Sequence, residues 1–143
     1  MAAKLFLDSN IVLDYLLGRK DELDKIEQLI NLTNNNVFDC YISETVISTC
    51  IYFLEKNKKQ TLEMLRAFCM LCKTLPYHSN ILFYNIERFN DIEDGFLYYL
   101  ALHHKMNFFI TRNIKHFKFQ LPSLAAMTPT QFLNFYNSGN DLS

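Results

Sequence analysis

Short apolar runs alternate along the chain with longer segments whose apolar residues recur at helical spacing. A run of about five apolar residues between polar ones is typical of a buried strand, whereas the i, i+3, i+4, i+7 spacing indicates one face of a helix. The pattern predicts strands over 4–8, 37–41 and 107–111, with short extended pieces near 74–77 and 124–127. It predicts helices over 10–17, 22–34, 44–56, 59–72, 80–89, 93–105 and 130–137.

This order of elements favours one fold class. Strands that alternate with helices form a parallel sheet, because each crossover helix must pack on a face of that sheet. We therefore expect a three-layer α/β/α sandwich with a central, mainly parallel sheet. A chain of 143 residues with 50% hydrophobic content suits a single domain over 1–143.

Two helix starts have a clear local cause. Thr128, Pro129 and Gln131 combine a capping hydroxyl, a proline at the first helical position and a glutamine at the third, and Gly139 suits the helix end. Ser43 can cap the helix that begins at residue 44.

Composition and charge exclude several classes of protein. The formal net charge of -1 gives no general attraction to nucleic acid or anionic membranes, so any nucleic-acid contact must be local. No apolar run approaches the roughly 20 residues needed to span a bilayer, and the first ten residues lack a secretory signal. We expect a soluble, cytoplasmic protein without a membrane partner.

The cysteines and histidines do not suggest a zinc site. The isolated pair Cys69 and Cys72 has no second pair to complete four ligands, so we predict that these two, with Cys40 and Cys50, are core thiols. His103 and His104 are adjacent and would point about 100° apart on a helix, unlike an i, i+4 metal pair.

Acidic residues follow or open elements at one predicted edge of the sheet. Asp8 follows the first strand, Glu44 opens the helix after the second, and Asp94 begins an apolar helix. Carboxyl ends of parallel strands share one edge, where α/β proteins bind ligands, so these acids can converge. Taken alone, the motif is better explained by Asp8, Ser9 or Asn10 capping the next helix.

The segment before the apolar helix carries two acids with different predicted roles. Asp91 is interpreted as the helix cap. Asp94 lies on a helix that is apolar on most sides, so it must face a pocket or a cation, because burying an unpaired acid is costly.

Gathered carboxylates repel one another unless a cation lies among them. Mg²⁺ suits this role, since it binds a few carboxylates and can activate a water against a phosphodiester. Thr111, Arg112 and Asn113 end the last long strand on the same edge, where they could orient that water or hold a phosphate.

Four motifs in order resemble the PIN domain. They are Asp8-Ser9-Asn10 after the first strand, Glu44 opening a middle helix, DIEDG before an apolar helix, and ITRN-x-x-x-F followed by a strand and TPTQFL. The match runs from Lys4 to about Phe135. The resemblance implies a ribonuclease that depends on Mg²⁺ or Mn²⁺, and many prokaryotic members are VapC-like toxins inhibited by an antitoxin.

The resemblance also implies site residues. Asp8, Glu44 and Asp94 would be the core acids that hold the metal, and Asn113 would occupy a fourth, more variable position. Asn10, Thr111 and Arg112 would bind substrate or orient water. Many relatives with this T-R-N form carry an aspartate three residues after the asparagine, where this chain has His116. Asp91 could supply part of the missing charge.

Other phosphate-handling families fit less well. A haloacid dehalogenase phosphatase needs a second aspartate two residues after the first, where this chain has Asn10. A phosphate-receiver domain needs a lysine at a late strand end, where this chain has Thr111 and Arg112. Nucleotide binding through a glycine-rich loop is not indicated either, because the sequence contains no such motif. The alternative that stays open is a PIN-like module that binds RNA or protein without cleaving.

Two further surfaces are open to interpretation. Residues 115–119 interleave lysines with aromatics, which suits nucleic-acid contact, although a solvated turn with Phe117 and Phe119 in the core explains them better. We predict that the helices over 22–34 and 59–72 dock a second copy, because residues 61–72 carry an apolar excess in which only Glu63 and Arg66 are charged.

Overall fold

The computed structural model describes residues 2–142, and its centre is a five-stranded parallel sheet. The strands are β1 (Lys4–Leu7), β2 (Asp39–Ser43), β3 (Lys73–Leu75), β4 (Phe108–Ile110) and β5 (Ala125–Met127). Their order is β3-β2-β1-β4-β5, and every neighbouring pair is parallel. The predicted fold class is confirmed.

Within residues 2–142, five α-helices lie between strands and a sixth follows β5. They are α1 (Ser9–Leu17), α2 (Leu23–Asn34), α3 (Glu44–Lys56), α4 (Thr61–Cys69), α5 (Ile92–His103) and α6 (Pro129–Asn137). Ser43 caps α3 by accepting the Val46 N–H, and Thr128 with Gln131 forms a complete capping box on α6. Both predicted helix starts are confirmed.

The helix predicted over 80–89 is wrong. This segment forms two 3₁₀ helices, Ser79–Phe83 and Ile86–Arg88, separated by Tyr84 in an extended conformation. Asn80 and Asn85 have low helix propensity, which disfavours a continuous α-helix over this segment. The helix predicted over 59–72 is also shorter, since α4 ends at Cys69 and β3 begins four residues later.

Helix α5 packs deep in the domain, as its apolar sequence predicts. Tyr98 is fully buried, and its hydroxyl donates to the Leu124 carbonyl at 2.6 Å. Gly95 permits the close packing, because a Cβ there would lie 2.9 Å from the Ile86 carbonyl oxygen. This contact packs the first turns of α5 against the 3₁₀ helix Ile86–Arg88.

Other predictions have mixed outcomes. Cys40, Cys50 and Cys72 are buried, but Cys69 is exposed at the end of α4, so its prediction as a core thiol is wrong. Phe117 is buried and Phe119 packs partly against the core. Within residues 2–142, no helix combines the length and apolar character that a membrane crossing requires.

Candidate functional site

Asp8 is the residue between β1 and α1, and both oxygens of its carboxylate accept hydrogen bonds. Oδ1 accepts the Ser9 N–H at 2.8 Å, which makes Asp8 the cap of α1. Oδ2 accepts the Thr111 hydroxyl at 2.8 Å and the Asn10 amide at 3.3 Å. Asp8 is only 3% exposed. The capping role and the strand-end position therefore coexist in one residue.

Burial controls the ionisation of Asp8. Loss of hydration raises the pKa of its carboxyl to about 6, while the bonds from Thr111 and Ser9 oppose the rise. The negative charges of Asp94 and Glu93 raise this pKa further. An acid with uncharged donors and acidic neighbours is a site that a cation would stabilise.

The first turn of α5 brings the second acid to the site. Asp91 caps this helix, since its Oδ1 accepts the Glu93 N–H at 2.8 Å and the Asp94 N–H at 3.4 Å. Burial and the nearby Asp91 raise the pKa of Asp94, and His116 opposes that rise. His116 Nδ1 lies 3.0 Å from Asp94 Oδ2, so the residue at the position of the family's aspartate does contact the site.

A cavity of about 310 Å³ joins these groups. Its lining has an acidic part, formed by Asp8, Glu93 and Asp94, and a basic part, formed by Arg19 and Arg112. The other lining residues are polar or apolar. The lining residues are Asp8, Ser9, Asn10, Leu13, Arg19, Thr49, Phe53, Glu93, Asp94, Arg112 and Asn113. Of the predicted site residues, the structure thus brings Asp8, Asn10, Asp94, Arg112 and Asn113 to one cavity, with Thr111 bonded to Asp8 beneath it.

Glu44 and Asp91 stand apart from this cavity. Glu44 is exposed in the first turn of α3 and does not line it, and Asp91 uses its carboxylate as a cap. The α3 residue that faces the cavity beside Phe53 is Thr49. Five residues along a helix correspond to a rotation of about 140°, so Glu44 and Thr49 point in different directions.

The basic part depends on a residue that sequence reasoning missed. Asp14 is fully buried in α1, and its Oδ1 lies 3.2 Å from Arg112 Nη1 and 3.5 Å from Arg19 Nη1. The Asn10 side-chain carbonyl accepts the Arg112 N–H at 3.1 Å. An acid at the centre of an otherwise apolar helix face was the only available signal for this role.

The residues present suit a hard divalent cation, although they form no closed cage. In the range 2–142, no group of three or more His, Cys, Asp or Glu side chains is arranged to hold a metal ion. Mg²⁺ is usually held by only one or two carboxylates together with waters and substrate phosphates. Asp8 and Asp94 provide that donor set, and the charge of Asp94 is near enough to raise the pKa of Asp8.

Comparisons with known proteins agree on the family. Residues 4–115 match the model of the PIN domain. Ribonuclease VapC1 from Aquifex aeolicus (strain VF5) is 25% identical over 142 residues, which cover 94% of this chain and 96% of that protein.

Solved structures share the fold at lower identity. VapBC2 from Rickettsia felis, bound to a DNA fragment from its promoter, has a TM-score of 0.68 and 22% identity, with 87% of this chain and 98% of that chain covered. DNA-bound VapBC from Salmonella typhimurium has a TM-score of 0.67 and 18% identity, covering 89% and 98%. VapC20 from Mycobacterium tuberculosis, a toxin that cleaves the sarcin-ricin loop, has a TM-score of 0.58 and 9% identity, covering 81% and 96%. Because the family model spans most of the sequence, this chain belongs to the PIN domain family.

Proposed function

We propose that this chain is an endoribonuclease that depends on Mg²⁺ or Mn²⁺ and acts as the toxin of a toxin–antitoxin pair. The observation that carries the proposal is the buried Asp8 carboxylate, which shares one cavity with Asp94 and with Arg112. The relative named Ribonuclease VapC1 and the fold shared with VapBC toxins support the same assignment.

In this proposal Asp8 and Asp94 hold the metal, with Glu93 at the margin of the cavity. A divalent cation there would supply activation of a water and neutralisation of the phosphate charge. Glu44 was predicted as a third ligand or as a base, but its exposure outside the cavity does not support that role. We therefore leave it out of the ligand set.

Hydrogen bonds from neighbouring residues hold the Asp8 carboxylate in position to bind the metal. The Thr111 hydroxyl and Asn10 amide fix the orientation of its carboxylate, and the Ser9 N–H fixes the other oxygen. With its pKa near 6, Asp8 is ionised at neutral pH and available to a cation. Asn113 lines the same cavity, and its N–H donates to the Thr111 hydroxyl at 3.1 Å, which extends the support.

The direct test is cleavage of structured and single-stranded RNA in Mg²⁺ or Mn²⁺. Asp8→Asn should abolish cleavage, because the cation loses a negative ligand. Asp39→Asn is the matched control, since Asp39 begins β2, is not part of the cavity lining, and places its Oδ2 3.7 Å from Lys73 Nζ. Equal cleavage by Asp8→Asn and the wild type would contradict the proposal.

A binding module without nuclease activity remains the second candidate. It is favoured by the missing third carboxylate of the metal site and by His116 in place of the family's aspartate. RNA binding without cleavage in either metal would support this candidate and overturn the first.

We further propose an antitoxin and a second copy of this chain as protein partners. A cavity of about 400 Å³ is lined by Tyr15 and Leu16 of α1 and by Glu27, Met64, Ala67, Phe68 and Leu71, which lie in the two segments predicted to dock a second copy. Light scattering at micromolar concentration tests the dimer, and a monomeric mass would contradict it.

A further inference from the structure

We propose that Arg19 and Arg112, held together by the buried carboxylate of Asp14, form a subsite for the RNA phosphate next to the one that is cleaved. The inference rests on the proposed function for its substrate class. It assigns roles to Asp14 and Arg19, which the metal site itself does not use.

The first observation is that one carboxylate oxygen holds two guanidinium groups. Asp14 Oδ1 lies 3.2 Å from Arg112 Nη1 and 3.5 Å from Arg19 Nη1, which brings two positive charges together against their mutual repulsion. Asp14 is completely buried, so its position is fixed by the packing of α1. A buried carboxylate of this kind is an anchor that keeps both arginines at one place.

The backbone directs each arginine to that anchor. Gly18 ends α1 with a φ of 68°, and the next residue, Arg19, donates its N–H to the Asp14 carbonyl at 2.9 Å. The chain therefore turns back over the end of the helix. Arg112 lies two residues after β4, and its N–H donates to the Asn10 side-chain carbonyl at 3.1 Å.

The second observation is that both arginines line the cavity that also contains Asp8 and Asp94. Their side chains remain 37% and 29% exposed, so N–H groups that do not contact Asp14 can reach a ligand. A guanidinium presents five donors in a planar fork that matches a phosphate. One cavity thus offers carboxylates for a cation and, separately, guanidiniums for an anion.

The remaining acid near the pair is weakly placed. Asp21 lies 3.6 Å from Arg112 Nη1, but its side chain is 74% exposed, and an exposed ion pair of this kind contributes little. A phosphate can displace it. An RNA strand is the ligand that carries regularly spaced phosphates to both parts of the cavity.

The test measures binding of a single-stranded RNA 12-mer in EDTA by fluorescence anisotropy at several salt concentrations. Arg19→Ala and Arg112→Ala should each weaken binding by about tenfold, because a charge-assisted bond is lost. Each should also make the slope of log K against log salt less steep by about 0.7, the value for one phosphate contact on a single strand. Arg66→Ala on exposed α4 is the matched control and should change neither quantity.

Two charge-matched variants test the role of Asp14. Asp14→Asn and Asp21→Asn each raise the net charge by one, and simple electrostatics would make both bind RNA more tightly. If Asp14 positions the arginines, Asp14→Asn weakens binding by about threefold or more, whereas Asp21→Asn strengthens it. Thermal melting tests whether each variant is folded. Gly18→Ala is a further variant that leaves the charge unchanged. A Cβ has free space at Gly18 but the positive φ is strained, so this substitution disturbs the turn that carries Arg19.

Several outcomes would overturn the inference. They are unchanged affinity and salt slope for Arg19→Ala or Arg112→Ala, tighter binding by both asparagine variants, or no binding of RNA by the wild type in EDTA. Because binding is measured without metal, it is separate from the cleavage test. Cleavage that Asp8→Asn abolishes, with arginine variants that bind normally, would leave the proposed function standing and remove only the subsite.

Discussion

Asp8 at the start of α1 and Asp14 within that helix are two buried carboxylates, and they are stabilised by different means. Asp8 accepts bonds only from uncharged donors and has acidic neighbours, whereas Asp14 contacts two arginines. Burial raises the pKa of both, but Arg112 and Arg19 oppose the rise at Asp14. Asp8 is therefore an anionic group that lacks a cation, and Asp14 is one that already has two.

This difference distinguishes Asp8, a candidate ligand for a cation, from Asp14, a carboxylate that holds two arginines of the chain in place. A buried charge is costly unless it is paired, so the fold tolerates Asp8 only at the expense of stability. Groups with that kind of shifted pKa are concentrated at functional sites. Asp14 shows the opposite arrangement, because its partners are permanent residues of the chain. The comparison predicts a larger gain in stability when the charge is removed at Asp8 than at Asp14, where two arginine contacts are lost as well.

The largest effect is expected from Asp8→Asn. RNA cleavage in Mg²⁺ should fall by about 100-fold or more, since the cation loses a ligand that also fixes its position. In the absence of metal, the free energy of unfolding at pH 7 should rise by about 1–2 kcal/mol, because desolvation and repulsion from Asp94 are relieved. Urea titration and a cleavage assay check the two parts. A variant that is both active and less stable would contradict this account of Asp8.

The pH dependence of stability isolates the same charge. A pKa raised from 3.8 to about 6 means that the metal-free native state keeps a proton which the unfolded chain releases between pH 4 and 6. Stability should therefore fall as pH rises through this window, by about 3 kcal/mol from Asp8. Asp14 and Asp94 act in the same direction, so the informative quantity is the wild-type slope minus that of Asp8→Asn. Identical slopes for the two proteins would show that Asp8 titrates normally.

For Asp14→Asn we expect no comparable gain in stability, because the relief of desolvation is offset by the loss of both arginine contacts. The buried amide leaves two arginines without their shared partner, at a cost of about 2 kcal/mol, less than for fully buried pairs because both arginines reach solvent. Urea unfolding at pH 7 measures the change. If Asp14→Asn were as stabilising as Asp8→Asn, the two arginine contacts of Asp14 would contribute nothing to stability.

His116 offers a way to sharpen the contrast at the acidic end. His116→Asp places a second carboxylate 3 Å or so from Asp94, so divalent ions should bind about tenfold more tightly, while the metal-free protein loses stability through like-charge repulsion. Calorimetric titration with Mn²⁺ measures binding. Lys115→Gln at the exposed neighbouring position also lowers the net charge by one, with histidine counted as neutral, and controls for a general change in charge. Equal affinities for wild type and His116→Asp would mean that this position does not face the bound ion.

The sequence pattern was sufficient for the architecture and for half of the site. Buried strands and amphipathic helices have distinct periodicities, so the sheet, the strand-end position of Asp8 and the cap at Asp91 could be predicted. Arg19 could not, because its approach to Asp14 depends on the turn at Gly18 and on packing between distant segments. The Ser79–Phe83 and Ile86–Arg88 segments were missed since short 3₁₀ turns have no comparable periodicity.

Glu44 gives the smallest expected effect and the most direct test of the strand-end rule. It follows β2 as Asp8 follows β1, but it is exposed, while Thr49 faces the cavity. Glu44→Gln should lower stability by about 0.5 kcal/mol through the lost charge at the start of α3 and change cleavage by less than about threefold. Thr49→Val is the companion variant, because it alters the cavity wall without altering charge. A loss of cleavage by Glu44→Gln comparable to that of Asp8→Asn would mean that Glu44 turns into the cavity when the ion binds, and the three-acid site predicted from the sequence would be restored.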